Sequence, residues 1–181
     1  KGYTNNIIAE KLNKDISDIN TVELYKDVDI VFHLAAKSRI QPTITEPDLS
    51  FETNVLGTAR VLNHCRVNNV KKLIYSSSSS CYGHKNRPPH REDMPADCLT
   101  PYSLSKKQGE DVCKMFSDLY GLSTVVLRYF NVYGPREPLV GSYAPVIGLF
   151  KKLKRDNLPM TIIGDGEQLR DFTHVYDIVR A

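Results

Sequence analysis

The stretch VDIVFHLAA at residues 28–36 and the stretch KKLIYSSS at residues 71–78 are short apolar runs, rich in β-branched and aromatic residues and flanked by polar ones. They enclose LSFETNVLGTARVLNHCRVNN at residues 49–69, where Phe51, Val55, Ala59, Leu62 and Cys65 recur every three or four positions. That recurrence is the period of a helix with one buried stripe. A strand, a helix and a second strand in this order make a crossover unit, which pairs its strands in parallel. Continuous apolar runs of this length suit strands buried on both faces of such a sheet.

The alternation continues outward. YSLSKKQGEDVCKMFSDLYG at residues 102–121 repeats the helical period through Gly109, Val112, Cys113, Phe116 and Leu119. The helix should begin near Tyr102, just after Pro101, and Gly121 suits its C-terminal stop. STVVLRYF at residues 123–130 reads as a third strand, and MTII at residues 160–163 as a fourth. A last helix is expected over residues 144–155; its closing run KKLKR complements the negative end of the helix dipole. The expected class is α/β, a doubly wound parallel sheet with helices on both faces. Residues 82–101 form a long segment rich in proline and charge. It starts at the carboxyl end of the second strand, where doubly wound sheets keep their ligands.

Composition narrows the function. The 181 residues carry 24 Lys+Arg against 21 Asp+Glu, a net +3 too even to mark a nucleic-acid surface. With 41% hydrophobic and 25% charged residues, the chain has the apolar stock for a core. No apolar run approaches the roughly 18 residues that span a bilayer. The first residues lack the apolar stretch of a secretory signal, so the expected location is cytoplasmic. Cys65, Cys81, Cys98 and Cys113 form no CxxC pair and read as reduced, structural thiols. The five histidines show no ligand spacing, and no metal is expected.

Three residues carry chemistry together. Tyr102 and Lys106 lie four apart on an expected helix, hence one turn apart on one face. Ser78 closes the strand before the long segment. A phenol titrates near pH 10, so it serves as a base at neutral pH only where a fixed cation favours the phenolate. Lys106 is placed to be that cation, and the Ser78 hydroxyl to orient an alcohol and pass its proton to Tyr102. Such a base suits removal of a proton from a secondary alcohol as hydride leaves the same carbon, which requires a nicotinamide, because no side chain accepts hydride.

VFHLAA, NVLGT, SSSSSCYG, PYSLSK, RYFNVYGP and GDGEQLRDFTHVYDI stand in the order found in extended short-chain dehydrogenase/reductases. Over residues 15–181 the chain resembles the NAD-dependent epimerase/dehydratase branch of that family, and is most similar to UDP-sugar 4-epimerases. The resemblance implies a Rossmann-like fold, NAD as cofactor, a nucleotide-sugar substrate and a homodimer joined through helices 50–68 and 102–120. It implies a dinucleotide-binding domain over residues 1–130 and the start of a substrate-binding region over 131–181.

The resemblance also implies roles for single residues. Ser78, Tyr102 and Lys106 would be the catalytic triad, with Ser78 also on the substrate and Lys106 also on the nicotinamide ribose. Asp15 and Ile16 would lie near the adenine. Leu34, Ala35, Ala36 and Lys37 would pass under the pyrophosphate and ribose, supported by Asn54, and Phe130 would flank the nicotinamide. Asn131, Val146, Thr161 and Arg170 would hold the nucleotide diphosphate, and Arg39 the sugar or phosphate.

Two departures matter. Dehydratases and decarboxylases of this branch carry an acidic residue soon after the triad hydroxyl, whereas here Ser79, Ser80 and Cys81 follow, Cys81 in a register that favours burial. Without that acid, reversible oxidation and reduction at one carbon is what remains, and a 4-epimerase needs nothing more. A dehydratase or keto-reductase of the same branch, and a non-catalytic fragment that keeps the fold, are the alternatives. Moreover, no glycine-rich phosphate turn precedes the first strand, and KGYTN does not replace it. The chain is therefore expected to be truncated at both ends, lacking its first β/α unit and with it the residue that chooses NAD or NADP.

Overall fold

The computed structural model describes residues 14–16, 19–141 and 144–181; the KGYTN segment lies outside them. The chain divides into two compact units, one ending at Tyr129 and the other running on from Phe130.

The first unit holds β1 (Ile30–His33), β2 (Lys72–Ser78) and β3 (Ser123–Tyr129) in one parallel sheet of order β1-β2-β3. The register pairs His33 with Tyr75 and Ser78 with Tyr129. Between β1 and β2 the chain is helical in pieces: α1 (Ile40–Thr45), α2 (Pro47–Phe51), a wide π turn (Glu52–Leu56) and α3 (Gly57–Val67). Pro47 starts α2, where its missing N–H is no loss. Periodicity predicts one helix over 50–68; the segment is helical, but widened around Asn54. Asn69, in the left-handed region at φ 57°, closes α3, and Val70 N–H reaches back to the Cys65 carbonyl at 2.9 Å.

Helix α4 (Pro101–Tyr120) has both ends built into its sequence. Thr100 accepts from Ser103 N–H while the Ser103 side chain accepts from Thr100 N–H, a reciprocal cap that satisfies two otherwise orphaned donors. Gly121, at φ 68°, ends it in the left-handed conformation that favours glycine. Val61, Leu62 and Cys65 of α3 meet Leu73 and Tyr75 of β2 and Cys113 and Phe116 of α4 in one buried core. Leu73 and Tyr75 show the same face of β2, so both helices cover that face. The expectation of strands buried on both faces therefore holds on one side of the described sheet: Phe32, directed to the other side, is 64% exposed.

Helix α4 also anchors by charge. Glu110 accepts a two-pronged pair of hydrogen bonds from Arg128 of β3, at 2.8 and 2.7 Å, and a third from the Ser77 hydroxyl. The guanidinium lies over the Tyr82 ring, 4.8 Å from its centre. Arg128 is thus the ion-pair partner that a lone strand arginine commonly is.

The second unit pairs β4 (Asn131–Tyr133) in parallel with β5 (Phe172–His174), with α5 (Val146–Arg155) between them and α6 (Val175–Arg180) after. Residues 160–163, read from sequence as a strand, are not one. Among the described residues they pair with no strand, and Ile163 is 84% exposed. A β-branched run without a ladder partner has nothing to hold it extended.

Two outcomes are expected. A Cβ added at Gly109 would stand 2.1 Å from Tyr75 Oη and 2.6 Å from its Cζ. Gly109→Ala should therefore cost about 2 kcal/mol in urea unfolding despite the better helix propensity of alanine. The second concerns His33, whose Nε2 lies 2.8 Å from Thr58 Oγ1. The Thr58 hydrogen is committed to the Asn54 carbonyl, so Nε2 carries the ring proton. Burial, then the charge of Lys106, lowers the His33 pKa to about 4. Below the ordinary value of 6.5 the unfolded chain binds more protons, so stability should fall as pH drops from 6.5 toward 4, by roughly 3 kcal/mol from this group. Urea midpoints at pH 7 and pH 4.5 should differ less in His33→Asn than in the wild type.

Candidate active site

Ser78 ends β2 and caps a short 3-10 turn (Ser79–Tyr82). Its Oγ accepts from Ser80 N–H at 3.2 Å and from the Ser80 hydroxyl at 2.9 Å. Tyr102 follows Pro101 in the first turn of α4 and is half-buried. Lys106, one turn on, is 4% exposed. Its Nζ donates to the Ser76 carbonyl at 2.7 Å and lies 5.0 Å from the centre of the Tyr75 ring. Ser78, Tyr102 and Lys106 therefore meet at the carboxyl end of β2.

Burial dominates the electrostatics of Tyr102 and Lys106. Burial raises the Tyr102 pKa above the ordinary phenol value; the Ser78 hydrogen bond lowers it, the Cys81 thiol adds to the rise, and Arg39 lowers it again. Lys106 is not among these influences. Its ammonium is engaged by the Ser76 carbonyl, and burial, opposed by Cys81 and Cys113, brings its own pKa down to about 8.

Asn54 links two parts of this unit. Its Oδ1 accepts from Lys37 N–H at 2.7 Å, and its Nδ2 donates to the Lys37 carbonyl and to Ser105 Oγ, each at 3.0 Å. The Ser105 hydroxyl donates in turn to the Tyr102 carbonyl at 2.9 Å. One amide thus ties the backbone after β1, where Leu34, Ala35, Ala36 and Lys37 lie, to the turn of α4 that holds Tyr102. Ile16 packs against the core and beside Gly57, and Asp15 is exposed. Arg39 precedes α1 at φ 83°.

The remaining candidates fall in the second unit. Phe130 is half-buried at its start, and Asn131 Nδ2 donates to the Asp171 carbonyl at 2.9 Å. Val146 lines an apolar pocket of about 450 Å³ with Ile147, Phe150, Met160 and Phe172, rimmed by Lys151 and Lys154. Thr161 is exposed, and so is Arg170, whose guanidinium donates to the neighbouring Leu169 carbonyl.

Sequence reasoning missed Ser80, Ser105 and Glu110. The last had a signal: it is a carboxylate beside Gly109 on the stripe that faces the core. Burial alone would raise its pKa, but hydrogen bonds from Arg128 and Ser77 hold it below the usual carboxylate value. Cys81 is fully buried, as its register suggests, and burial lifts its thiol to about 11.

Known proteins share this arrangement of elements. A protein of Methanocaldococcus jannaschii provisionally named a UDP-glucose 4-epimerase is 39% identical over 185 residues, which cover 99% of this chain and 60% of that one. A UDP-N-acetyl-alpha-D-glucosaminuronate decarboxylase of Bacillus cytotoxicus is 36% identical over 92% of this chain and 53% of its own length. The solved UDP-N-acetylglucosamine 4-epimerase of Methanobrevibacter ruminantium, in complex with UDP-N-acetylmuramic acid, superimposes with a TM-score of 0.89 at 37% identity, over 93% of this chain and 55% of that one. The chain thus spans little more than half the length of the relatives it matches. The family model for NAD dependent epimerases and dehydratases matches residues 4–181. With that match over nearly every residue and likeness in both sequence and backbone, the chain belongs to the NAD dependent epimerase/dehydratase family.

Proposed function

We propose that the whole protein is an NAD-dependent UDP-sugar 4-epimerase, with Ser78, Tyr102 and Lys106 as its catalytic residues and residues 1–130 and 131–181 serving cofactor and substrate respectively. One observation carries the choice of epimerase: no acidic residue follows Ser78 over residues 79–81. Ser79, Ser80 and Cys81 follow Ser78, and Glu110, the carboxylate that acts on Cys81, is kept ionised by Arg128 and Ser77. An ionised, doubly engaged carboxylate donates no proton to a leaving hydroxyl, so elimination of water lacks its acid.

Two features of the chain fit the cofactor. Lys106 Nζ uses one of its three hydrogens on Ser76, which leaves donors for ribose hydroxyls. The backbone after β1 emerges at the sheet end and is fixed there by Asn54. Bound NAD would supply the acceptor for hydride from C4 of the sugar and the donor for its return to the opposite face. Tyr102 takes the C4 hydroxyl proton and gives it back, and Lys106 holds positive charge near that exchange. Asn131, Val146, Thr161 and Arg170 are proposed for the nucleotide diphosphate, with the guanidinium of Arg170 suited to phosphate. Asp15 and Ile16 are proposed for the adenine, Phe130 for the nicotinamide and Arg39 for the sugar or phosphate.

The same reading supports a cytoplasmic homodimer. Phe51, Val55, Leu56 and Ala59 form an apolar depression with Gln108 on the helical segments proposed to pair, and all four cysteines are free thiols.

Full-length protein with NAD should interconvert UDP-glucose and UDP-galactose without net accumulation of NADH. Stoichiometric NADH, or a dehydrated keto sugar as main product, would rule out the epimerase. Tyr102→Phe should lower kcat by at least about 100-fold, the low end of what a positioned acid or base contributes.

A further inference from the structure

Two thiols converge on one acceptor beside the proposed catalytic residues. Cys81 Sγ donates to the Ser103 carbonyl at 3.6 Å, and Cys98 Sγ donates to the same oxygen at 3.4 Å. The backbone brings the two cysteines together without help from the sulfurs. Asp97 N–H donates to the Cys81 carbonyl at 2.9 Å, and the Asp97 carboxylate accepts from the His84 and Lys85 N–H groups at 3.0 and 3.1 Å. Gly83, at φ 62°, permits this closure, since a Cβ there would stand 2.0 Å from the Asp97 carbonyl oxygen. Bringing loop ends together is the main entropic barrier to a cross-link, and here hydrogen bonds have already removed it. We propose that Cys81 and Cys98 are a reversible redox pair, closed to a disulfide by a peroxide and reopened by an external thiol.

Exposure sets the order of events. Cys98 is half-buried and Cys81 fully buried, whereas Cys65 and Cys113 lie sealed in the apolar core. Hydrogen peroxide therefore meets Cys98 first: the sulfur attacks one oxygen, the O–O bond breaks, and a sulfenic acid and one water result. Cys81 Sγ then attacks Cys98 Sγ, the S–O bond breaks, and the Cys81 proton leaves with the hydroxyl as a second water. Two thiols are oxidised and one peroxide is reduced. Two external thiols reverse the change by exchange and end as a disulfide of their own. Burial raises both thiols, Cys81 to about 11, so thiolate is scarce at neutral pH and the pair closes only under sustained oxidant.

The bridge would join the two elements that carry the proposed site. Cys81 lies in the 3-10 turn that Ser78 caps, and Cys98 stands four residues before Tyr102. Oxidation takes both S–H donors from the Ser103 carbonyl in the first turn of α4, and it draws the two segments together, because bonded sulfurs stand only about 2 Å apart. Ser78 and Tyr102 then shift relative to each other, which slows any reaction that needs both.

The effect on turnover rests on the proposed epimerase; formation of the bridge does not. Full-length protein with NAD is treated with excess hydrogen peroxide, alkylated, digested without reductant and mapped by mass spectrometry. Its turnover of UDP-glucose is followed before oxidation, after it, and after dithiothreitol. The map should show one linked pair of peptides, holding Cys81 and Cys98 and lighter by two hydrogens than the separate thiols. The kcat should fall in step by at least about tenfold, since a misplacement of about 1 Å costs about 100-fold, and should return on reduction. Cys98→Ser, which keeps a donor for the Ser103 carbonyl, should start within about twofold of wild type and keep its turnover in peroxide. Cysteines 81 and 98 left unlinked in the wild type, or a bridge between other cysteines in their place, overturns the redox pair. A Cys81–Cys98 bridge with kcat unchanged, or a Cys98→Ser enzyme that peroxide inactivates as fast as wild type, overturns its hold on the site. Protein without epimerase activity before oxidation overturns the function instead, and the peptide map still decides the pair.

Discussion

The arrangement depends on an ammonium group kept in the protein interior. Lys106 is almost wholly buried, and charge removed from water is costly unless hydrogen bonds replace the lost hydration. The Ser76 carbonyl and the face of Tyr75 supply that replacement, both from β2. Burial still brings the amine down to about pH 8, so the compensation is incomplete and the contact cannot loosen without further loss. Helix α4 is therefore held at one height against the end of β2. Gly109, three residues on, lets the helix come close enough to make that contact, because any side chain there would strike Tyr75.

Two more polar anchors act on the same helix. Glu110 pins it to β3 through Arg128 and to β2 through Ser77, with a fork geometry that resists rotation as well as separation. Asn54 and Ser105 pin its first turns to the backbone after β1. An apolar core alone would tolerate small slides of α4, since dispersion contacts are individually weak and non-directional. Hydrogen bonds to three separate segments of the sheet do not. The polar residues buried under α4 give up stability that better-packed apolar side chains would provide, and what they secure is the position of Tyr102 relative to Ser78.

Much of this was legible in the sequence. The β-branched runs located β1, β2 and β3, the period located α3 and α4, and Pro101 and Gly121 marked the ends of α4. Ser78, Tyr102 and Lys106 could be brought together because a strand end and a helix start place residues with little freedom. The direction of influence among them was not legible. Spacing says that Lys106 is near Tyr102, but which acceptor takes its ammonium depends on the Ser76 carbonyl, and backbone carbonyls leave no mark in a sequence. Ser80 was hidden among five consecutive serines, identical in type and different only in where a tight turn aims them. The wide turn at Asn54 has no residue signature either, and residues 160–163 show the converse, a strand-like composition with no partner strand.

The two units also divide the candidate residues by how firmly each is held. Ser78, Tyr102, Lys106 and Asn54 sit in a unit with a continuous buried core, and backbone groups supply most of the hydrogen bonds of Ser78, Lys106 and Asn54. Thr161 and Arg170 are exposed in a unit whose strands are three residues long, and Val146 borders an open apolar pocket with lysines at its rim. In the proposed 4-epimerase, chemistry at C4 is common to every sugar handled, and it demands close placement of the base. In the same proposal, recognition of the nucleotide and of the rest of the sugar falls to these exposed side chains. Rigid polar anchoring around α4, with looser packing beyond Phe130, is the distribution of stability that this separation of tasks requires.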